Sequence, residues 1–191
     1  MQGVEPHIAI EEDDGRMGLI GLTDDLFNSR VLTLEGRVTQ ESAMTLIKSL
    51  LVLERQDAEA PVTLLISSPG GEVYAGLALI DAMQHVSCPV YTVATGMVAS
   101  MAAVILAAGT RRMAYAHAYV LIHQLMGGSG LAQQTDIEIA ADHAAELRGV
   151  LDALLAERGN CTQEEFHALT ERDCWCTAER ALELGLVDEI I

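Results

Sequence analysis

Apolar residues in this chain come in two rhythms, short unbroken runs and stretches in which they recur every three or four positions. The two rhythms take turns. Residues 30–34 (Arg-Val-Leu-Thr-Leu) predict a strand closed by Gly36. Between 39 and about 55, Ala43, Leu46, Ile47, Leu50 and Leu51 fall on one helical face, with Thr39 as the cap. Pro61 opens a buried strand, 62–66, which Ser67-Ser-Pro-Gly-Gly71 breaks; Val73, Leu77, Ile80 and Met83 then follow at helical spacing. Pro89 opens another strand, Tyr91 to Ala94 lead to a turn at Gly96, and small and apolar residues continue as a helix to Gly109. Strand, glycine turn and helix thus recur in succession, which predicts a layered α/β domain with parallel neighbouring strands. In such sheets ligands sit beyond the carboxyl ends of the strands, the side that carries both the Pro-Gly-Gly turn and Ser100.

The second half is less regular. Arg111 and Arg112 mark a surface turn, and residues 118–123 predict a strand that ends in His123. A glycine-rich segment, 127–130, precedes a long helix over 133–158. Ile137, Ala140, Ala141, Ala144, Leu147, Leu151 and Leu154 form its apolar stripe; Asp136, Glu138, Asp142, Glu146, Arg148 and Asp152 occupy its other faces. Such a helix either projects and packs on another subunit or serves as an ordinary core helix. Thr177 caps a last helix, Gly185 ends it, and Leu186-Val187 with Ile190-Ile191 predict a terminal strand. Residues 1–25, acidic and punctuated by glycine, read as an irregular arm.

Composition changes this picture in three ways. The net charge of −17 excludes nucleic acid and anionic membrane surfaces as partners, because both need a basic footprint. Cys88, Cys161, Cys174 and Cys176 are too few and too irregular for a disulfide framework, and no secretory leader opens the chain, so a reducing cytoplasm is expected. From Ala82 to Thr110 there is no Asp, Glu, Lys or Arg, but Pro89, Gly96 and the hydroxyls within that run favour a buried strand and helix over a membrane span.

Ser100 is the hydroxyl at the centre of the uncharged stretch, near a helix N-terminus where free N–H groups favour developing negative charge. It is either packing material or a nucleophile. A nucleophile needs a base. Lys48, the single lysine, lies in a helix two strands upstream. Of His7, His85, His117, His123, His143 and His167, only His123 ends a buried strand where a rigid sheet would aim it. The carboxylate that orients the imidazole is expected at Asp173, beside the apolar trio Cys-Trp-Cys, with Asp136 and Asp142 as weaker candidates. Two backbone N–H groups are needed for an oxyanion. Met101 can supply one and the turn 68–71 the other, since glycine lets backbone approach a substrate closely. Cys174, Cys176 and His167 match no usual zinc spacing, so no metal is expected.

Ser67-Ser-Pro-Gly-Gly71, Gly96-Met-Val-Ala-Ser-Met101, Leu121-Ile-His-Gln124, Gly127-Gly128, Thr170-Glu-Arg-Asp173 and Ala181-Leu-Glu-Leu-Gly-Leu-Val-Asp188, in that order, resemble the proteolytic subunits of the Clp protease. The resemblance covers about residues 27–191. It implies a superhelix of strand-strand-helix repeats of the ClpP/crotonase type, with a projecting handle helix. It implies a head domain over 26–125 and 160–191, a handle over 126–159 and an N-terminal axial arm over 1–25. It implies serine endopeptidase activity on unfolded polypeptides, with Ser100 as nucleophile, His123 as base and Asp173 as orienter. The oxyanion hole would use the N–H groups of Gly71 and Met101. No cofactor or metal would be needed; ATP would be used by a hexameric AAA+ unfoldase docked on heptameric rings stacked as a tetradecamer. Other Clp proteolytic subunits are possible ring partners. The sequence departs from the family pattern at Leu125, where proline usually follows His-Gln, and in 62–67, which lacks the family's tyrosines. These departures keep open a non-catalytic structural ring subunit; a crotonase-like acyl-CoA enzyme is the remaining alternative.

Overall fold

The computed structural model describes residues 6–11, 16–127 and 130–191. Its first elements, β1 (His7–Glu11) and β2 (Met17–Gly21), form an antiparallel pair from His7 opposite Gly21 to Glu11 opposite Met17. A short helix, α1 (Leu22–Asn28), follows. The described part of the predicted irregular arm is therefore ordered secondary structure. Backbone pairing defines this ladder; Ile8, Ile10, Met17 and Leu19 remain exposed, so no core-facing alternation marks it in the sequence.

The main sheet grows from the buried runs. β3 (Val31–Glu35), β4 (Val62–Ser68) and β5 (Val90–Ala99) are parallel neighbours, as expected. Between them run α2 (Gln40–Gln56) and α3 (Val73–His85). Thr39 caps α2 through a capping box, its hydroxyl accepting from Ser42 N–H while Ser42 Oγ accepts from Thr39 N–H. Ala43, Leu46, Leu50 and Leu53 are the buried stripe of α2.

β5 does not stop at Gly96. The strand bends there, with Gly96 at φ +78°, and continues to Ala99. Its two halves serve different neighbours. Residues 91–94 pair with β6 (Arg111–Ala114), and 97–99 pair with β7 (Tyr119–Ile122), both parallel. The helix that follows, α4 (Met101–Ala107), is consequently shorter than the sequence implies, and all its residues are buried. Its Ile105 and Leu106 each contribute about 2 kcal/mol of burial.

Arg111 and Arg112 do not form a surface turn. They open β6, and Arg112 is 5% exposed. Its guanidinium donates to Asp188, to Gly185 O at 2.6 Å and to Arg158 O at 3.1 Å, so acceptors distant in sequence satisfy the buried charge. β6 then pairs with β9 (Glu189–Ile190), which is shorter than the predicted terminal strand because Leu186 and Val187 belong to the core before it.

The long helix, α5 (Gln134–Arg158), is exposed along residues 134–146, Ile137 and Ile139 included, and enters the core only near its end, where Asp152 and Leu155 are buried. α6 (Gln163–Leu169) packs beside it through the buried Phe166. β8 (Cys174–Thr177) pairs antiparallel with β7, and α7 (Ala178–Glu183), capped by Thr177, ends at Gly185 with φ +70°. No described helix is long and apolar enough to cross a membrane.

Candidate active site

Ser100 is neither in the strand nor in the helix. It is the residue between them, the N-cap of α4, at φ 57° and ψ −129°. A non-glycine residue at positive φ costs roughly 1–3 kcal/mol and persists only when its surroundings enforce it. Here Ser100 N–H donates to Leu121 O at 2.8 Å, and Ser100 O accepts from Ala103 N–H at 2.9 Å. The turn leaves the Met101 N–H at the open end of the helix, where no carbonyl of the preceding turn can reach it. Sharp strand-to-helix turns of this kind carry the nucleophile in α/β-hydrolases.

The Pro69-Gly70-Gly71 turn closes against this corner. Val38 pairs with Gly71 in an isolated parallel bridge whose bonds run from Val38 N–H to Gly70 O (3.0 Å) and from Glu72 N–H to Val38 O (2.9 Å). The bridge leaves the Gly71 N–H outside the ladder. A Cβ on Gly71 would meet Val38 O at 2.1 Å, so this contact requires glycine. The turn is itself held from within, with Ser68 Oγ accepting from Gly70 N–H at 3.1 Å.

Ser100, Met101, Gly71 and His123 line one cavity of about 180 Å³. His123 leaves the end of β7, as the sequence predicts, and Asp173 immediately precedes β8. Since Ile122 pairs with Cys174, His123 and Asp173 step off the two strands opposite each other. They line a second, adjoining hollow with Gln124, Leu125 and Arg172. The relay is nevertheless open: among the described residues no hydrogen bond joins His123 to Ser100 or Asp173. His123 Nδ1 lies instead 2.6 Å from Gln124 O. A carbonyl only accepts, so Nδ1 carries the proton and Nε2 is left as the basic nitrogen. That is the tautomer a Ser–His base requires, with a carbonyl where a carboxylate would stand.

Asp173 and Trp175 are both exposed, Trp175 at 54%, although Cys176 in the same trio is buried. Strand alternation explains both: positions 173, 175 and 177 face outward while Cys174 and Cys176 face in. Of the other candidates, Lys48, His85, His117, His143, Asp136 and Asp142 are exposed and line neither hollow. His7 lies in the β1–β2 pair. His167 faces Asp152, with Nδ1 2.7 Å from Oδ2, and not the cysteines.

Three residues of the cavity wall, Arg148, Asp152 and Thr170, have no role at the site in the sequence expectations. Arg148 and Asp152, assigned there to the solvated faces of the long helix, point inward with side chains 16% and 3% exposed. Thr170 Oγ1 donates to Asp152 Oδ1 at 3.2 Å, and Thr170 O accepts from Gln124 N–H at 2.6 Å. Arg148 donates to His167 O at 2.9 Å and to Glu171 Oε2 at 3.1 Å. This network ties α5 to both loops, the one after His123 and the one before Asp173. The spacing i, i+4 of Arg148 and Asp152 was the available signal, although it does not distinguish a buried pair from a surface pair.

A profile of the Clp protease family matches residues 15–191. Relatives named ATP-dependent Clp protease proteolytic subunit, among them those of Streptococcus pneumoniae strains Hungary19A-6, CGSP14 and 70585, are 41% identical to this chain over 169 residues. That alignment spans 87% of this chain and 86% of each relative.

Proposed function

Because this chain belongs to the Clp protease family, we propose that it hydrolyses peptide bonds with Ser100 as nucleophile, His123 as base and Asp173 as the orienting carboxylate. The observation that carries the reading is the shared cavity. It holds a serine forced to positive φ, the imidazole, and two glycine-turn and helix-end N–H groups. Ser100 Oγ attacks the scissile carbonyl as its proton passes to His123 Nε2. The oxyanion forms between the N–H groups of Gly71 and Met101, which are fixed by the bridge to Val38 and by the start of α4. The imidazolium then protonates the leaving amine, and water repeats the sequence on the acyl-enzyme. Neither metal nor cofactor enters these steps.

Closing the relay requires His123 Nδ1–H to exchange Gln124 O for Asp173. The exposed length of α5, with Ile137 and Ile139 bare, is the surface through which another subunit would order the adjoining loops. We assign 126–159 to a handle joining stacked heptameric rings, 26–125 with 160–191 to the head, and 1–25 to the axial region that receives chains from an ATP-driven unfoldase. A partner ATPase is in keeping with the relatives' name, ATP-dependent. The open relay also favours a second reading, a latent ring subunit that becomes active only beside other Clp proteolytic subunits. Native mass measurement of the chain alone and mixed with such subunits, with peptidase assay of each species, separates the two. Peptide turnover by the homo-oligomer supports the first; turnover only by mixed rings, unaffected by Ser100→Ala in this chain, contradicts it.

A further inference from the structure

Cys174 and Cys176 stand on the inner face of β8 with their sulfurs 3.8 Å apart, and neither is in a disulfide. Cys176 is wholly buried, Cys174 is partly exposed, and Trp175 between them faces out. Among the described residues β8 has one strand neighbour, β7, so a single ladder holds its position. The first rung of that ladder is Ile122–Cys174, and Asp173 is the next residue off its end.

We propose that Cys174 and Cys176 are a redox pair that a hydroperoxide converts to a disulfide, and that closing it draws Asp173 away from His123. The proposal rests on the peptidase reading of the site. Residues i and i+2 of a strand lie about 6.8 Å apart at Cα. That is the upper end of what a disulfide accommodates, at about 4.4–6.8 Å. To bond, the sulfurs must close from 3.8 Å to about 2 Å. β8 therefore folds toward Cys176 at its free end, and the Ile122–Cys174 rung yields first.

The chemistry assigns the two thiols different roles. Burial, reinforced by the neighbouring Cys174, pushes the Cys176 thiol up to about 12, which makes it a poor first nucleophile. The more exposed Cys174 attacks the peroxide oxygen as thiolate. The O–O bond breaks, leaving Cys174 as a sulfenic acid, and the other half departs as water or alcohol. Cys176 sulfur then attacks Cys174 sulfur; the S–S bond forms, the S–O bond breaks, and the Cys176 proton leaves with the hydroxyl as water. Two thiols and one hydroperoxide give one disulfide, one alcohol (water, when the oxidant is hydrogen peroxide) and one water. A dithiol reductant reverses it.

The test treats the reduced, assembled protein with hydrogen peroxide, then divides it between peptide mapping and peptidase assay. We expect a 174–176 disulfide in the mapped peptide and a fall in peptidase activity of at least ~10-fold, because losing the orienting carboxylate costs far more than that in triad enzymes. Dithiothreitol should restore activity, and Cys174→Ala, or Cys174→Ser should the alanine variant fold poorly, should keep its activity through the treatment. Both thiols still free, a sulfinic or sulfonic acid at Cys174 in place of the disulfide, or a disulfide with undiminished activity would each overturn the proposal. Reduced wild type without peptidase activity would instead count against the peptidase reading, since the disulfide is read by mass alone.

Discussion

A Cβ placed on Gly70 would stand 2.7 Å from Cβ of Ser100 and 2.9 Å from the Met101 nitrogen. The glycine turn and the Ser100 corner are thus in direct contact, and the contact sets the position of both proposed oxyanion donors. Gly70 is also at φ +83°. Gly70→Ala combines a backbone conformation that alanine avoids with a clash against backbone atoms. We expect a stability loss of about 2 kcal/mol by urea titration. Peptidase activity should fall roughly 100-fold, the cost of one lost oxyanion donor. A variant with wild-type turnover would show that this turn does not shape the site.

Asp173 and His123 leave adjacent strands opposite each other, but the imidazole Nδ1–H is donated to Gln124 O. Asp173→Asn removes the charge while keeping the shape. In serine hydrolases with this relay the equivalent change costs on the order of 10⁴ in turnover, and we expect a loss of two or more orders of magnitude here, with assembly unchanged by native mass. Activity near wild type would mean that Gln124 O, rather than Asp173, is the working acceptor.

Arg112 and Asp188 should dominate the acid side of the stability profile. Partial burial raises the Asp188 carboxyl, but hydrogen bonds from the Arg112 side chain and backbone outweigh it, and the net effect holds the group below the usual carboxylate range. A carboxyl with a depressed folded pKa stabilises fully above its unfolded value of about 3.9. That stabilisation is lost as pH falls through the lower, folded value. Asp188→Asn should therefore cost about 2 kcal/mol at pH 7, discounted from a fully buried pair because Asp188 is partly exposed. The difference from wild type should shrink in acid; denaturation at pH 7 and below pH 4 checks both. A difference that stays constant with pH would assign the loss to packing instead.

Some of this structure is legible in the sequence and some is not, for identifiable reasons. Strands β3, β4 and β5 and helix α2 are legible because their apolar runs are bounded by proline, glycine and a capping threonine. The corner at Ser100 is legible as a place between strand and helix. Its positive φ is not, because serine, unlike glycine, asparagine or aspartate, does not announce that conformation. Pairings between distant segments are hidden. Arg112 is buried because Asp188 and Gly185 meet it, and Asp152 because Thr170 and His167 do; each looks like a surface charge when read along the chain. The β1–β2 ladder is hidden for the opposite reason, since it buries no apolar face. The exposure of Asp173 and Trp175 is hidden as well, because alternation along β8 sends the tryptophan outward and the cysteines inward.

The central claim is that Ser100 is the nucleophile, and covalent labelling tests it most directly. A fluorophosphonate probe, applied to the assembled protein and followed by peptide mapping, should modify wild type at Ser100 and leave Ser100→Ala unmodified. Equal labelling of the two proteins, or labelling of wild type at any other serine, would contradict it.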